Sequence, residues 1–263
     1  MGAGMRAGLT FPCADATLVG TLDPAANRRG LLIVTGGRQT RVGPHRMMAR
    51  LAAELAAEGY PVFRFDRRGV GDSSGTDPGF RNSSPDIAAA ATAFRNACPH
   101  IGELWGLGLC DGASAAALHH AAAGLDGLIL LNPWVVEAEA GWPPPAAIRA
   151  QYLERLTTLE GWRKILTKGF NIRKVINGIS RISKKQDQVL GDMVMSSLAL
   201  FSGPVRILLA KRDATAQAFL SIYRQPSAGR MTVEMIDSAS HGFAGNADRA
   251  WLKAKILDAL RTA

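Results

Sequence analysis

In "WGLGLCDGASAAA" (105–117) a cysteine stands between glycines two residues before and two residues after it, where an apolar run gives way to a helix-forming stretch. A side chain carried on a sharp strand-to-helix turn sits on strained backbone. Its neighbours at −2 and +2 must be small, because strand and helix pass close together there. Gly108 and Gly112 meet that need, and Ala113 and Ala116 keep the following helix surface thin. A helix N-terminus also favours thiolate over thiol. Cys110 is therefore the candidate nucleophile. Ser114, four residues on, belongs one helical turn below the exposed tip and is the lesser candidate. A dinucleotide fingerprint is excluded, because the third glycine position counted from Gly106 and Gly108 is Asp111, and no Gly-Lys-Ser/Thr follows to make a phosphate loop.

A thiol nucleophile needs a base, the base an orienting acid, and the developing oxyanion a pair of N–H donors. Of five histidines, His241 in "DSASHGF" (237–243) follows the last strand-like run, which brings it to the sheet edge that carries Cys110. His119 and His120 lie two turns into the elbow's helix, His100 precedes a strand, and His45 opens a helix. Asp213 follows "VRILLAK" and completes the order Cys…Asp…His, with Asp237 as the nearest rival acid. The N–H of Asp111, the residue after the nucleophile, is one expected oxyanion donor. The other is Gly37, in the glycine loop after "LLIVTGG", with Arg38 next to it.

Positioning these groups takes a sheet with loops gathered at one edge. The chain alternates short apolar runs with Ala/Leu-rich helical segments, the pattern of a mostly parallel twisted sheet covered by helices on both faces. An opening hairpin is expected over 10–24, turning at Ala14-Asp15. Strands follow at 30–37, from 60 into a glycine-rich loop ending at 75, at 101–109 and at 125–133. Helices are expected at 45–58, 84–97 and from Asp111. The rhythm breaks at Trp134 and resumes with strands at 204–213 and 231–243 and a final helix. The expected organisation is a core of 1–133 and 204–263, with 134–203 inserted as a helical cap where open α/β sheets place their ligands.

Three cysteines at unrelated spacings, with no CxxC pair, argue against a disulfide framework or zinc site and suit a reducing compartment. The first residues lack the apolar run of a signal peptide, and no stretch approaches a membrane span, so a cytoplasmic location is expected. No cofactor and no metal are expected. The formal charge of +9 implies an anionic partner. Residues 161–185 contain eight Lys or Arg and no acidic residue at roughly helical apolar spacing, read either as a solvated basic face or as a guide for an anionic substrate. Such a substrate would be an acyl carrier protein, an acyl-CoA or an acidic polysaccharide; peripheral membrane contact through the same run is a further option. Arg38, Arg41, His45 and Arg46 beside the oxyanion loop, with Trp134 at the start of the insertion, are expected to extend the substrate surface. No nucleic-acid module is present, since aromatics do not interleave the basic run.

Taken together, these segments resemble the α/β-hydrolase superfamily over nearly the whole chain. "FRFDRRGVGDSSG" is similar to its D-x-R-G-x-G-x-S motif, and "GLCDGA", "AKRDA" and "SHGF" to its elbow, acid and histidine segments. More narrowly, "FPCADATLVGTL", "GGRQTRVGPHR" and the cysteine elbow resemble a hydrolase family associated with the exosortase A system of exopolysaccharide-producing bacteria. Cysteine replaces the usual serine, as in dienelactone hydrolases and polyester synthases. The resemblance implies ester or thioester hydrolysis through a Cys-His-Asp triad. Acyl transfer to a sugar or other alcohol, or a non-catalytic binding scaffold, are the alternatives.

Overall fold

The computed structural model describes residues 5–136, 189–223 and 229–262. Most of the expected cap, including the basic run at 161–185, lies outside the described residues. Contacts divide the chain into one unit of Met1–Trp134 with Val194–Ala263 and a second of Val135–Met193.

The first unit is built on an eight-stranded sheet in the order β1-β2-β4-β3-β5-β6-β7-β8. Strands β1 (Ala7–Cys13) and β2 (Ala16–Asp23) form the expected hairpin, closing with Cys13 opposite Ala16; Ala14 takes φ 53° in the turn. Left-handed backbone at a turn residue matches the right-handed twist of the flanking strands. Strand β2 pairs antiparallel with β4 (Val62–Phe65), and from β4 on every pairing is parallel, through β3 (Arg29–Val34), β5 (Glu103–Leu109), β6 (Gly127–Leu131), β7 (Val205–Ala210) and β8 (Met231–Ile236). Helices on both faces explain why β3 and β6 read as unbroken apolar runs.

Helices α1 (Met47–Ala57), α2 (Ser84–Ala97), α3 (Asp111–Ala123) and α6 (Asn246–Thr262) follow the sequence expectation closely. Helix α4, over 189–200, lies where the apolar spacing of "QVLGDMVMSSLALF" predicts one. The short helix α5 (Ala214–Ile222) has no counterpart among the expected elements; Asp213 starts it by capping Thr215 and Ala216. The expected helix at 45–58 begins late, because Pro44–Arg46 makes a single tight turn in which His45 and Arg46 have φ of 50° and 62°. Strand β8 stops at Ile236, leaving 237–243 as a loop. One face of the sheet packs Leu31, Ile33, Trp105 and Leu107 against Leu51 and Leu55 of α1 and Leu252 and Ile256 of α6. That layer carries the loops after β3, β5, β7 and β8 on a rigid base. Among the described residues, no helix is long and apolar enough to cross a membrane.

Candidate active site

Cys110 joins β5 to α3 with φ 60° and ψ −127°, a conformation that side chains rarely adopt. The turn is held on both sides. The Cys110 N–H donates to the Leu131 carbonyl (2.9 Å), and the Cys110 carbonyl accepts from Ala113 (3.1 Å), Ser114 (3.2 Å) and Trp134 (3.1 Å). The flanking glycines are a steric necessity here. A Cβ on Gly108 would lie 2.3 Å from the Gly112 carbonyl oxygen, and one on Gly112 would lie 2.4 Å from that of Val34. Cys110 is partly exposed, whereas Cys13 and Cys98 are buried and burial pushes both thiols up. Ser114 is fully buried and its hydroxyl donates to the Trp134 carbonyl, away from the exposed tip of the elbow.

Asp213 ends the loop after β7. Its Oδ2 accepts the N–H groups of Thr215 (3.0 Å) and Ala216 (3.1 Å), and both carboxylate oxygens lie 3.2 Å from Nδ1 of His241. Burial alone would raise the Asp213 pKa, but the His241 contact and the two backbone donors win and hold it below the ordinary carboxylate value. Burial pulls His241 down; hydrogen bonds to Asp213 and to the Cys110 side chain, with the charge of each, outweigh it and push His241 up to about 10. The imidazole is thus anchored by the Asp213 carboxylate, with Cys110 close enough to raise its pKa. The rival Asp237 pairs with Arg212 at 3.1 Å on the surface, so neither competes at the site. Three of the other histidines are engaged elsewhere: His100 with the Ala25 carbonyl, His119 with that of Phe80, and His120 against the Phe201 ring.

Two residues that the sequence reading passed over hold the histidine loop. Asn132 is fully buried with φ 40°. Its Nδ2 donates to the His241 carbonyl (2.8 Å) and its Oδ1 accepts from the Ala210 N–H (2.9 Å), so it ties β6, β7 and the His241 loop together. Phe243 is fully buried and stacks on Trp251 with ring centroids 6.1 Å apart. The visible signal for Asn132 was a polar residue directly after the apolar run "GLILL".

The oxyanion loop departs from expectation. The Gly37 N–H, expected to face a substrate, donates to both oxygens of the Asp111 carboxylate (2.8 and 2.7 Å). Asp111 therefore meets the loop through its side chain as well as following Cys110 in the elbow. The Gly37 carbonyl accepts from the buried Arg67. Arg41 is also corrected: its guanidinium is bound by Asp66, Asp72 and Thr21, making it a brace between loops and not a cation turned to substrate. Arg38, His45 and Arg46 are exposed, and Trp134 is half-buried beside the elbow, where its backbone meets Cys110 and Ser114. A cavity of about 350 Å³ opens next to His241. Met47, Leu51, Leu109, Phe243 and Leu252 give it apolar walls, and His45 and Arg50 also line it.

This architecture recurs in solved structures. A Pyrococcus furiosus esterase superposes with a TM-score of 0.68 at 14% identity, covering 97% of this chain and 89% of that one. An α/β hydrolase from a Penicillium species gives 0.62 at 16% identity, covering 97% of each chain. A Xanthomonas campestris α/β serine hydrolase described as lacking a lid gives 0.61 at 17%, covering 97% and 94%. No curated protein sequence matches the chain. The family model described as serine aminopeptidase, S33, matches residues 26–219, a span that takes in the oxyanion loop, the elbow and Asp213. The chain is an α/β hydrolase and belongs to the S33 serine aminopeptidase family, with cysteine at the centre of its elbow.

Proposed function

We propose that the protein hydrolyses an ester or thioester through an acyl thioester on Cys110. The observation that carries this reading is the His241 imidazole, held by Asp213 at the same sheet edge as the strained elbow that carries Cys110. His241 takes the Cys110 proton and the sulfur attacks the acyl carbon. The resulting oxyanion is met by the Asp111 N–H and the Gly37 loop. On collapse the bond to the leaving alcohol or thiol breaks, and His241 returns the proton to that group. His241, neutral again, then takes a proton from water. The hydroxide attacks the thioester, and the acid leaves as sulfur recovers the proton. Asp213 orients the imidazole and stabilises its cationic form throughout.

The cavity beside His241 lies near the lower end of the ~300–1,000 Å³ range of ligand pockets. It suits a small to medium apolar group better than a polymer. The charge of +9 and the basic run at 161–185 favour an anionic carrier of the acyl group, such as an acyl-CoA or an acyl carrier protein. The resemblance to exosortase-associated hydrolases makes bacterial exopolysaccharide production the setting, in the cytoplasm. The test is turnover of p-nitrophenyl esters and acyl-CoA thioesters by wild type, Cys110→Ser and Cys110→Ala, with mass spectrometry of the trapped acyl-enzyme. We expect an acyl adduct on Cys110 and a loss of at least ~10³-fold in Cys110→Ala. Full activity in a folded Cys110→Ala protein would overturn the mechanism.

A further inference from the structure

The residue after the nucleophile contributes more than its backbone. Both carboxylate oxygens of Asp111 accept the Gly37 N–H, at 2.8 and 2.7 Å. The carboxylate is seated in the loop and not brushing past it, since a Cβ on the preceding Gly36 would lie 2.1 Å from Oδ1 of Asp111. Gly37 is gripped from its other side by Arg67, whose side chain is only 2% exposed and which donates to the Gly37 carbonyl. The peptide is thus fixed with its N–H turned to the elbow, and the acceptor waiting there is an anionic oxygen. A tetrahedral intermediate presents the same kind of oxygen to the same kind of donor.

We infer that the Asp111 side chain is a resident competitor for the oxyanion position. The inference rests on Cys110 being the nucleophile. The resting site is closed by its own elbow residue, and a substrate carbonyl gains the Gly37 N–H only by displacing the carboxylate. Once displaced, the carboxylate remains one residue from the reacting sulfur. It therefore also sets specificity: a negative charge next to the scissile carbonyl is repelled, and a neutral or cationic group is admitted. This differs from a plain loop brace, which would hold Gly37 equally well without charge.

The experiment uses Asp111→Asn, which keeps the shape and removes the charge, and Asp111→Ala, which removes the acceptor; neither alters the Asp111 N–H. Activity is measured with neutral p-nitrophenyl acetate. A hydrogen bond to a charged group contributes enough that its loss should raise kcat/KM by about 10-fold or more. A second readout needs no turnover: the ratio of Cys110 alkylation rates with iodoacetate and iodoacetamide should rise severalfold in both variants, because only iodoacetate is an anion. A fall in kcat/KM in both variants, with an unchanged alkylation ratio and wild-type melting, would overturn the inference and leave Asp111 as a brace. If Cys110→Ala keeps its activity, the hydrolytic reading has failed, and the alkylation ratio alone decides whether the carboxylate guards the thiol.

Discussion

Two carboxylates stand at the carboxyl edge of the same sheet with opposite kinds of partner. Asp66, just after β4, is fully buried. It accepts the N–H groups of Arg41 (2.5 Å) and Asp72 (3.1 Å) and pairs with the Arg41 guanidinium, while its carbonyl accepts from Ser73 (2.7 Å). Asp213, after β7, has two backbone donors as well, but its third partner is His241. Arginine keeps its charge at any working pH, so Asp66 and Arg41 can only brace. Histidine can give up or take a proton, so the same geometry around Asp213 supports chemistry. The loudest motif in the sequence, "DRRGVGDSSG", turns out to be scaffolding: Arg67 grips the Gly37 carbonyl and Arg68 pairs with Asp86 at 2.8 Å.

The contrast is broken most directly by removing each charge in turn. Asp213→Asn should lower kcat by about 10⁴-fold with a small change in melting temperature, because the imidazole loses its orienting acceptor. Asp66→Asn should do the reverse. It weakens the buried charge-assisted hydrogen bonds to Arg41, which keeps Asp72 and Thr21, and should cost about 2 kcal/mol of stability in urea unfolding, with a far smaller loss of kcat per folded molecule. Equal losses of kcat in two fully folded variants would erase the distinction.

A pH series sharpens it. The folded pKa of His241, about 10, lies above the ~6.5 of an unfolded histidine, so its contribution to stability is complete below about pH 6.5 and is lost as pH rises toward 10. Asp213, depressed in the fold, contributes above about pH 4 and loses its share as pH falls below that. The urea midpoint should therefore decline between pH 7 and 10, by an amount that Asp213→Asn reduces and Asp66→Asn leaves in place. An identical decline in all three proteins would remove His241 as its source.

The smallest effect is expected at Ser114. Its buried hydroxyl makes one hydrogen bond, so Ser114→Ala should cost about 1 kcal/mol and leave kcat within about twofold. A collapse of activity there would return Ser114 to contention as nucleophile.

Much of this was legible before any coordinates. Apolar runs marked the strands because a strand covered on both faces must be apolar along its length. The glycines around Cys110 marked the elbow because a Cβ at either would strike backbone. The gap at α5 has a physical cause: a nine-residue helix is too short for its periodicity to stand out, and its main signal is the capping Asp213, already read as a catalytic acid. Asn132 was missed because one buried amide leaves no pattern along the chain, although it joins the ends of β6 and β7 to the His241 loop.

The sequence by itself determined the order of elements, the elbow and the ranking of Asp213 and His241, because these follow from local periodicity, steric need and position at a strand's end. Only the tertiary structure decided which charged groups are occupied. Arg41 meets Asp66 across 25 residues, and the Gly37 N–H meets Asp111 across 74. Such pairings are set by where separate loops converge at the edge of a folded sheet. Ionic partners are chosen by distance and burial, and neither is written in spacing along the chain.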